Sequence, residues 1–330
     1  MPATHLRLAT RASPLALAQS SEIARQLESL DDGFAVELVT FATQGDRILD
    51  QPLAEIGGKG LFTAELDAAL YSGEVDLAVH SLKDLPTQDQ AGLTIAAIPQ
   101  RADPRDVLIA RKGVTLGNDT ASSVLDTSAP LDDLLAGLPH GACVGTASLR
   151  RRAQILACRP DLRVETLRGN VGTRLQKLDD GAYDAILLAA AGLLRLGHDP
   201  MHLDQRASWC LAPSTFLPAA GQGALALQCR TDDQPLRKIL AAIHHQDTAD
   251  CVNAERLFLH ALDGSCRTPI GAYAQLDGDE MTLTGAMWTD HAEARITHRG
   301  HRHQLTELAM GLAEAVRARL NFVADHSASE

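Results

Sequence analysis

Residues 142–189 read ACVGTASLRRRAQILACRPDLRVETLRGNVGTRLQKLDDGAYDAILLA. Short apolar runs alternate here with longer amphipathic segments, which predicts strands that alternate with helices. This alternation is typical of the α/β class, in which mostly parallel strands are covered by helices. The expected strands are 142–145, 162–166 and 185–189, and the expected helices are 149–158 and 171–180.

The N-terminal part of the chain repeats this alternation. Ser13 followed by Pro14 is typical of a helix start, because Ser caps backbone N–H groups and Pro fits the first turn. The polar, Gly-rich residues 44–60 predict a mobile loop or lid, and residues 113–140 predict a surface insertion. Further strands are expected at 6–10, 34–43, 75–79, 93–98 and 107–110, and a further helix at 61–72.

The last part of the chain has a different pattern, in which strands are consecutive. Asp277-Gly278 is a turn signal between two of them. Apolar residues at helical spacing from Leu305 to Leu320 predict a final amphipathic helix. A small α+β domain is therefore expected, with a helix at 250–262 and strands at 272–275, 281–288 and 294–300.

The length of 330 residues suggests two or three domains. A net charge of −12 and an aromatic content of 3% argue against nucleic-acid and anionic-membrane partners. The longest apolar run, 185–194, is too short for a membrane span. No cationic segment precedes a long apolar run near the N-terminus, so no signal peptide is expected.

The six cysteines are too far apart to suggest a disulfide scaffold or a zinc site. We therefore expect no bound metal and a reducing cytoplasmic location. Cys266 differs from the others because it stands between Gly264 and Arg267 in a polar segment. It is a candidate reactive thiol, although a lone cysteine is more often inert packing.

Seven arginines lie between Arg150 and Arg174, where the only acidic residues are Asp161 and Glu165. The planar guanidinium binds carboxylates bidentately, and nearby strand ends can add backbone N–H groups. This cluster predicts an anion-binding cleft. The alternative is a solvated face with scattered ion pairs.

The segment HSLKDLP (80–86) follows an apolar strand and presents Ser81, Lys83 and Asp84 at its carboxyl end. Lys83 and Asp84 could also be an ordinary ion pair in a turn. GQGALA (221–226) matches a dinucleotide-binding pattern, but Pro218 stands where that pattern needs a strand, so a tight turn is preferred. GGKG (57–60) lacks the spacing of a phosphate loop.

Taken together, these motifs resemble the porphobilinogen deaminase family, also called hydroxymethylbilane synthases. The resemblance runs from about Leu6 to the final helix. The matching blocks are RASPLALAQ (11–19), GGKGLF (57–62), VHSLKDLP (79–86), GTASLRR (145–151), LRGNVGTRL (167–175), PAAGQGAL (218–225) and GSCRTPIG (264–271).

The resemblance implies an α/β fold of two lobes like type II periplasmic binding proteins, followed by a small C-terminal α+β domain. Residues 1–101 with 219–241 would form domain 1, residues 102–218 domain 2, and residues 242–330 domain 3. The family is a transferase of tetrapyrrole (haem) biosynthesis. It polymerises four porphobilinogen molecules onto a dipyrromethane primer, releasing ammonia at each addition and hydroxymethylbilane at the end.

The resemblance also assigns residues. Cys266 would hold dipyrromethane by a thioether, Asp84 would be catalytic, and Lys59 and Phe62 would belong to a lid. A cytoplasmic monomer without nucleic-acid or membrane partners is implied. The remaining binding residues would be Arg11, Ser13, Gln19, Ser81, Lys83, Thr146, Ser148, Arg150, Arg151, Arg168, Asn170, Arg174, Arg195 and Gln222.

Two other classes remain open from the residues alone. A non-enzymatic carboxylate-binding module would use the same arginines, but it would have no bound chromophore and no need for Asp84 or Cys266. A nucleotide-dependent enzyme would rest on the weak glycine motifs.

Overall fold

A computed structural model describes residues 4–30, 33–47, 62–88, 90–114, 116–117, 131–203, 206–262, 268–289 and 292–327. The predicted alternation of strands and helices is present. The strands, in chain order, are β1 (Thr4–Arg11), β2 (Phe34–Phe41), β3 (Leu77–Ser81), β4 (Leu93–Ala97), β5 (Asp106–Ala110), β6 (Cys143–Gly145), β7 (Arg163–Glu165), β8 (Ala185–Ala189), β9 (Ser208–Leu211), β10 (Leu225–Arg230), β11 (Ile270–Asp277), β12 (Glu280–Trp288) and β13 (Glu293–His301).

The helices begin where the sequence provides capping residues. Ser13 accepts a hydrogen bond from the Ala16 backbone N–H at 3.3 Å, with Pro14 as the first helical residue. The helices are α1 (Pro14–Glu28), α2 (Gln44–Arg47), α3 (Ala64–Ser72), α4 (Leu131–Leu135), α5 (Leu149–Cys158), α6 (Val171–Asp179), α7 (Ala190–Arg195), α8 (Gln234–Leu240), α9 (Gln246–Ala261) and α10 (Leu305–Ser327).

Two five-stranded sheets in the described part of the chain share one plan. Their strand orders are β2-β1-β3-β10-β4 and β7-β6-β8-β5-β9. In each sheet the first three strands are parallel, and the fourth is antiparallel to both of its neighbours. We call the part of the chain built around the first of these sheets the first lobe, and the part built around the other sheet the second lobe. Because β10 returns to the first sheet after the second is complete, the chain crosses between the lobes twice.

Each lobe has its own apolar core. Leu8, Leu77 and Leu227 come from three adjacent strands of the first sheet and are fully buried. Trp209 and Phe216 are buried in the core of the second. Each fully buried side chain of this size contributes about 1.5–3 kcal/mol relative to an exposed one. The two cores hold the lobes as separate units around the site.

The C-terminal domain is an antiparallel sheet of order β11-β12-β13. Helices α9 and α10 contribute Phe258, Leu312 and Val316 to its core. An added Cβ on Gly285 would lie 2.4 Å from the Phe258 ring, so this glycine lets the helix approach the sheet. The predicted α+β character of this region is confirmed.

Two loop predictions differ from the structure. Residues 131–138 were expected in a surface insertion, but Leu131, Leu134 and Leu135 are buried in the second core. Their spacing places them on one face of α4, so this part of the prediction is wrong. In the predicted lid, residues 44–47 form α2, and residues 48–60 lie outside the described residues.

The chain crosses between the lobes once from β4 to β5 and once from β9 to β10. These two crossing segments lie side by side. The Ala102 N–H donates to the Gly223 carbonyl at 3.2 Å. Gly223 has a φ of +90°, and a Cβ there would lie 2.5 Å from the Ala102 carbonyl oxygen. Only glycine fits this approach. A turn is therefore confirmed at 221–224, and β10 begins at Leu225, where the dinucleotide motif would require a helix.

Candidate active site

Strand β3 ends in a turn that presents two charged side chains. Residues Leu82–Asp84 form one turn of 3₁₀ helix. The Leu82 N–H donates to the Ala224 carbonyl at 3.0 Å, which ties this turn to the crossing segment. Gln19 on α1 donates from Nε2 to Ser81 Oγ at 2.9 Å. The turn therefore has support on both sides.

Asp106, which sequence reasoning missed, is the fully buried first residue of β5. Its Oδ2 accepts from Arg150 Nη1 at 2.8 Å. Its Oδ1 accepts from Arg151 Nε at 2.9 Å and from Nη2 at 2.6 Å. The sequence signal that could have identified Asp106 is an acidic residue at the start of the apolar run DVLIA, because a charge buried in such a strand must be paired. Asp106 thus orients the first turn of α5.

Gln222 connects the Asp106 network to the Leu82–Asp84 turn. Its Nε2 donates to Asp106 Oδ1 at 3.1 Å and to the Pro104 carbonyl at 2.7 Å. Its Oε1 accepts from Lys83 Nζ at 3.2 Å. This amide therefore joins groups from both lobes and a crossing segment.

Among the described residues, five cations lie where the lobes meet, and we call them the cation cluster. The charges of Arg150 and Arg151 act on Lys83, and those of Arg151 and Arg168 act on Arg174. Asp84 acts on both Lys83 and Arg174, which belong to different lobes. The cluster consists of Lys83, Arg150, Arg151, Arg168 and Arg174.

Burial and neighbouring positive charges lower the pKa values of three members of the cluster, Lys83, Arg150 and Arg174. Burial lowers the pKa of Lys83 to about 8, although nearby Asp84 opposes the change. Burial, with Arg151 and Arg168, lowers the pKa of Arg174 to about 10. Burial by itself would raise the pKa of Asp106, but Arg150 and Arg151 outweigh it and hold that pKa well below its usual range. An anionic ligand would relieve the repulsion among these cations.

Several predicted binding residues are helix caps. Ser148 Oγ accepts from the Arg151 N–H at 3.4 Å, and Asn170 Oδ1 accepts from the Thr173 N–H at 2.8 Å. Thr146 is buried and accepts at Oγ1 from the Ser148 N–H at 3.2 Å. These residues fix the N-termini of α5 and α6, which favour anions.

Two further predicted residues have protein partners. The Arg11 guanidinium lies 4.4 Å from the centre of the Phe62 ring. Arg195 donates to Glu22 Oε2 on α1 and to the Gly223 carbonyl, each at 3.1 Å. Arg195 therefore joins α7 of the second lobe to the first lobe.

The predicted attachment residue Cys266 and the predicted lid residue Lys59 lie outside the described residues. Cysteines that the structure describes are poor nucleophiles, because burial raises the pKa of each thiol. This pKa reaches about 12 in Cys158 and Cys251 and about 11 in Cys210 and Cys229, and it is also raised in Cys143.

The residues present fit a ligand with several carboxylates. Arg150 Nε is buried and has no hydrogen-bond partner among the described residues. This positively charged donor could therefore bind an acceptor on a ligand. Arg174 donates from Nε to the Gly169 carbonyl at 2.7 Å, and within the described ranges its Nη groups make no hydrogen bond. Both groups suit carboxylates.

Among the described helices, none combines the length and apolar composition that crossing a membrane requires.

Some solved structures are similar to this chain at low identity. One is a periplasmic binding protein with high arginine specificity from Salmonella typhimurium, with 12% identity over 75% of this chain and 94% of that chain and a TM-score of 0.39. Another is an ancestral cationic amino acid solute binding protein, with 14% identity, coverages of 74% and 90%, and a TM-score of 0.44. Such values support no conclusion about ligands.

Two family models match the chain itself. The porphobilinogen deaminase dipyromethane cofactor binding domain matches residues 6–238, and the porphobilinogen deaminase C-terminal domain matches residues 249–320. Together with the sheets, these matches confirm the expected α/β fold of two lobes and a small C-terminal domain. The chain belongs to the porphobilinogen deaminase family and is therefore a transferase of tetrapyrrole biosynthesis with a dipyrromethane cofactor.

Proposed function

We propose that this protein joins four porphobilinogen molecules head to tail on its dipyrromethane primer. Ammonia leaves at each addition, and hydrolysis finally releases hydroxymethylbilane. The observation that carries this proposal is the placement of Asp84 beside the cation cluster, where it acts on Lys83 from one lobe and Arg174 from the other. One carboxylate among several cations suits a substrate whose side chains are carboxylates and whose pyrrole ring becomes positively charged during the reaction.

The cation cluster binds the carboxylates. Each pyrrole unit has an acetate and a propionate, and the guanidinium groups present paired donors of matching geometry. The N-termini of α5 and α6 add backbone N–H groups. We assign this binding role to Arg11, Ser13, Gln19, Ser81, Lys83, Thr146, Ser148, Arg150, Arg151, Arg168, Asn170, Arg174, Arg195 and Gln222.

Asp84 acts on the reacting ring. Departure of ammonia from porphobilinogen leaves positive charge that spreads to the pyrrole nitrogen. A carboxylate held at that nitrogen stabilises charge as it develops and can accept a proton. Because the turn is fixed by Ala224 and by the end of β3, the carboxylate needs little reorganisation during the reaction.

The dipyrromethane group, when bound through Cys266, supplies the primer for the first addition. The chain's own part is to hold its carboxylates, and Arg150 Nε is the buried donor that suits one of them. Lys59 and Phe62 would close over the cleft and exclude water.

We propose the domain boundaries 1–101 with 219–241, 102–218, and 242–330. The membership of β10 in the first sheet supports the discontinuous first domain. The separate core of α9, α10 and the three-stranded sheet supports the third. We expect a monomer, as the resemblance to the family implies.

The mass of the purified, intact protein tests the proposal. We expect it to exceed the sequence mass by one dipyrromethane, and we expect Cys266→Ala to lack both this excess and the pyrrole colour with acidic aldehyde reagent. Cys158→Ala is the matched control, because the pKa of that half-buried thiol is raised to about 12 and it should be unreactive. An active wild-type protein at its bare sequence mass would contradict the proposal. Bare sequence mass together with absent turnover would favour the carboxylate-binding module.

A further inference from the structure

Arg256 is a buried residue of α9 that faces residues 82–86 from the C-terminal domain. We call residues 82–86 the catalytic turn, because they contain the proposed catalytic residue Asp84. Its Nη2 donates to the Pro86 carbonyl at 2.7 Å. Its Nη1 lies 3.4 Å from the carbonyl oxygens of Leu82 and Leu85. One guanidinium therefore contacts three backbone carbonyls, and these belong to residues on both sides of Asp84 in the sequence.

The turn depends on this guanidinium because its own backbone bonds are few. Leu85 N–H donates to the Leu82 carbonyl at 3.2 Å, which closes one turn of 3₁₀ helix. Such a turn is short and has poor hydrogen-bond geometry, so external contacts decide how firmly it is held. A buried carbonyl without a donor is costly. Removal of Arg256 would take the guanidinium donor from all three carbonyls, while the Leu82 carbonyl would keep the Leu85 N–H.

A second contact reinforces the same connection. Thr87 Oγ1 lies 3.4 Å from His260 Nδ1, one helical turn beyond Arg256 on α9. Helix α9 ends at Ala261, shortly before Cys266. The helix that holds the catalytic turn is thus also the one that leads to the proposed attachment cysteine.

We propose that Arg256 is a positioning residue for Asp84: it fixes the 82–86 backbone and so sets where the carboxylate lies. This inference rests on the proposed role of Asp84. Lysine cannot fully replace arginine here, because a single ammonium lacks the planar fork that reaches separate carbonyls.

Arg295 provides a matched control. It also comes from the C-terminal domain, and it donates to the carbonyls of Pro213, Ser214 and Thr215 at 2.9, 2.6 and 3.3 Å. These carbonyls belong to the second lobe and not to the catalytic turn. Arg256→Met and Arg295→Met therefore remove comparable interdomain contacts, and only the first touches the turn.

The experiment compares kcat, KM and backbone amide exchange in the cofactor-loaded full-length variants. Arg256→Met should lower kcat about 10- to 100-fold with little change in KM, because the carboxylate is misplaced while the cation cluster is intact. Amides of the 80–88 segment should exchange faster. Arg256→Lys should recover part of kcat, and Arg295→Met should retain the wild-type kcat and exchange in this segment.

A double variant separates positioning from general stability. If Arg256 acts through Asp84, Arg256→Met should cost little more in the Asp84→Asn background than Asp84→Asn alone. Equal losses of kcat in both backgrounds, or in both Arg256→Met and Arg295→Met, would overturn the inference. Normal turnover of Asp84→Asn would instead overturn the proposed function, and the exchange measurement would still decide whether Arg256 holds the turn.

Discussion

Asp106 Oδ1 accepts two hydrogen bonds from the same arginine, Arg151, at 2.9 and 2.6 Å, and neither side chain is exposed. Arg151 also donates from Nη1 to the Leu187 carbonyl at 2.8 Å. Its guanidinium is therefore fixed before any ligand arrives. Part of the cation cluster is built on a structural carboxylate, so substitutions there affect folding as well as binding.

Asp106→Asn should destabilise the protein by about 3–5 kcal/mol, because it leaves two buried guanidinium groups without a compensating charge. Asn also turns N–H donors toward the donors of Arg150 and Arg151. Urea unfolding would measure the loss. The control, Asp161→Asn, removes the partner of Arg159 in a more exposed pair and should cost much less. Similar midpoints for the two variants would contradict this interpretation.

Asp84→Asn and Asp84→Glu separate charge from shape. Asn keeps the size and loses the charge, so its single-turnover ammonia release should fall by about 10²–10³ or more. Glu keeps the charge but displaces it by a methylene group and should retain a measurable fraction. Both variants should remain folded, because the residue lies in a turn. Asn activity equal to or above Glu activity would mean that the residue merely pairs with Lys83.

The pH dependence of kcat/KM should reflect the protonation state of Lys83. Its ordinary pKa is 10.5, and burial lowers the value to about 8. The ammonium is charged below pH 8 and neutral above it, so carboxylate binding should weaken as the pH rises through 8. In Lys83→Arg the cation stays charged, and the fall should move to higher pH. An alkaline limb that is the same in both proteins would exclude Lys83 as its source.

Arg174→Leu should retain the cofactor and stall chain growth. This guanidinium is held by Gly169 and repelled by its cationic neighbours, which suits a group that engages added units. After incubation with porphobilinogen, mass spectrometry should show partly extended protein in larger amounts than in the wild type. The control is Arg163→Leu, whose exposed side chain donates to the Gly141 carbonyl at 3.2 Å. A wild-type mass distribution for Arg174→Leu would contradict the assignment.

Local sequence signals predicted most elements of the lobes. The helix expected at 149–158 is α5 (Leu149–Cys158), and the strand expected at 185–189 is β8 (Ala185–Ala189). These elements were predictable because periodicity and capping are local properties. The turn containing Lys83 and Asp84 was also expected at the end of a strand.

Long-range partners could not be predicted in this way. Asp106 is far in sequence from Arg151, and Glu255 on α9 binds Arg101 at 2.7 and 3.0 Å across an even longer separation. No periodic pattern encodes which buried charges meet. The place of β10 within the first sheet has the same origin, since strand order depends on pairing between distant segments.

The position of β10 has a consequence for synthesis on the ribosome. It is the strand between β3 and β4, so the first sheet stays split until residues 225–230 have been made. The second sheet draws all its strands from residues 106–211 and can close earlier. Domains generally fold as units as the chain emerges, and distant pairings form slowly. We therefore expect the second lobe to reach its native state first. The first lobe should complete its sheet only after β10 has been made.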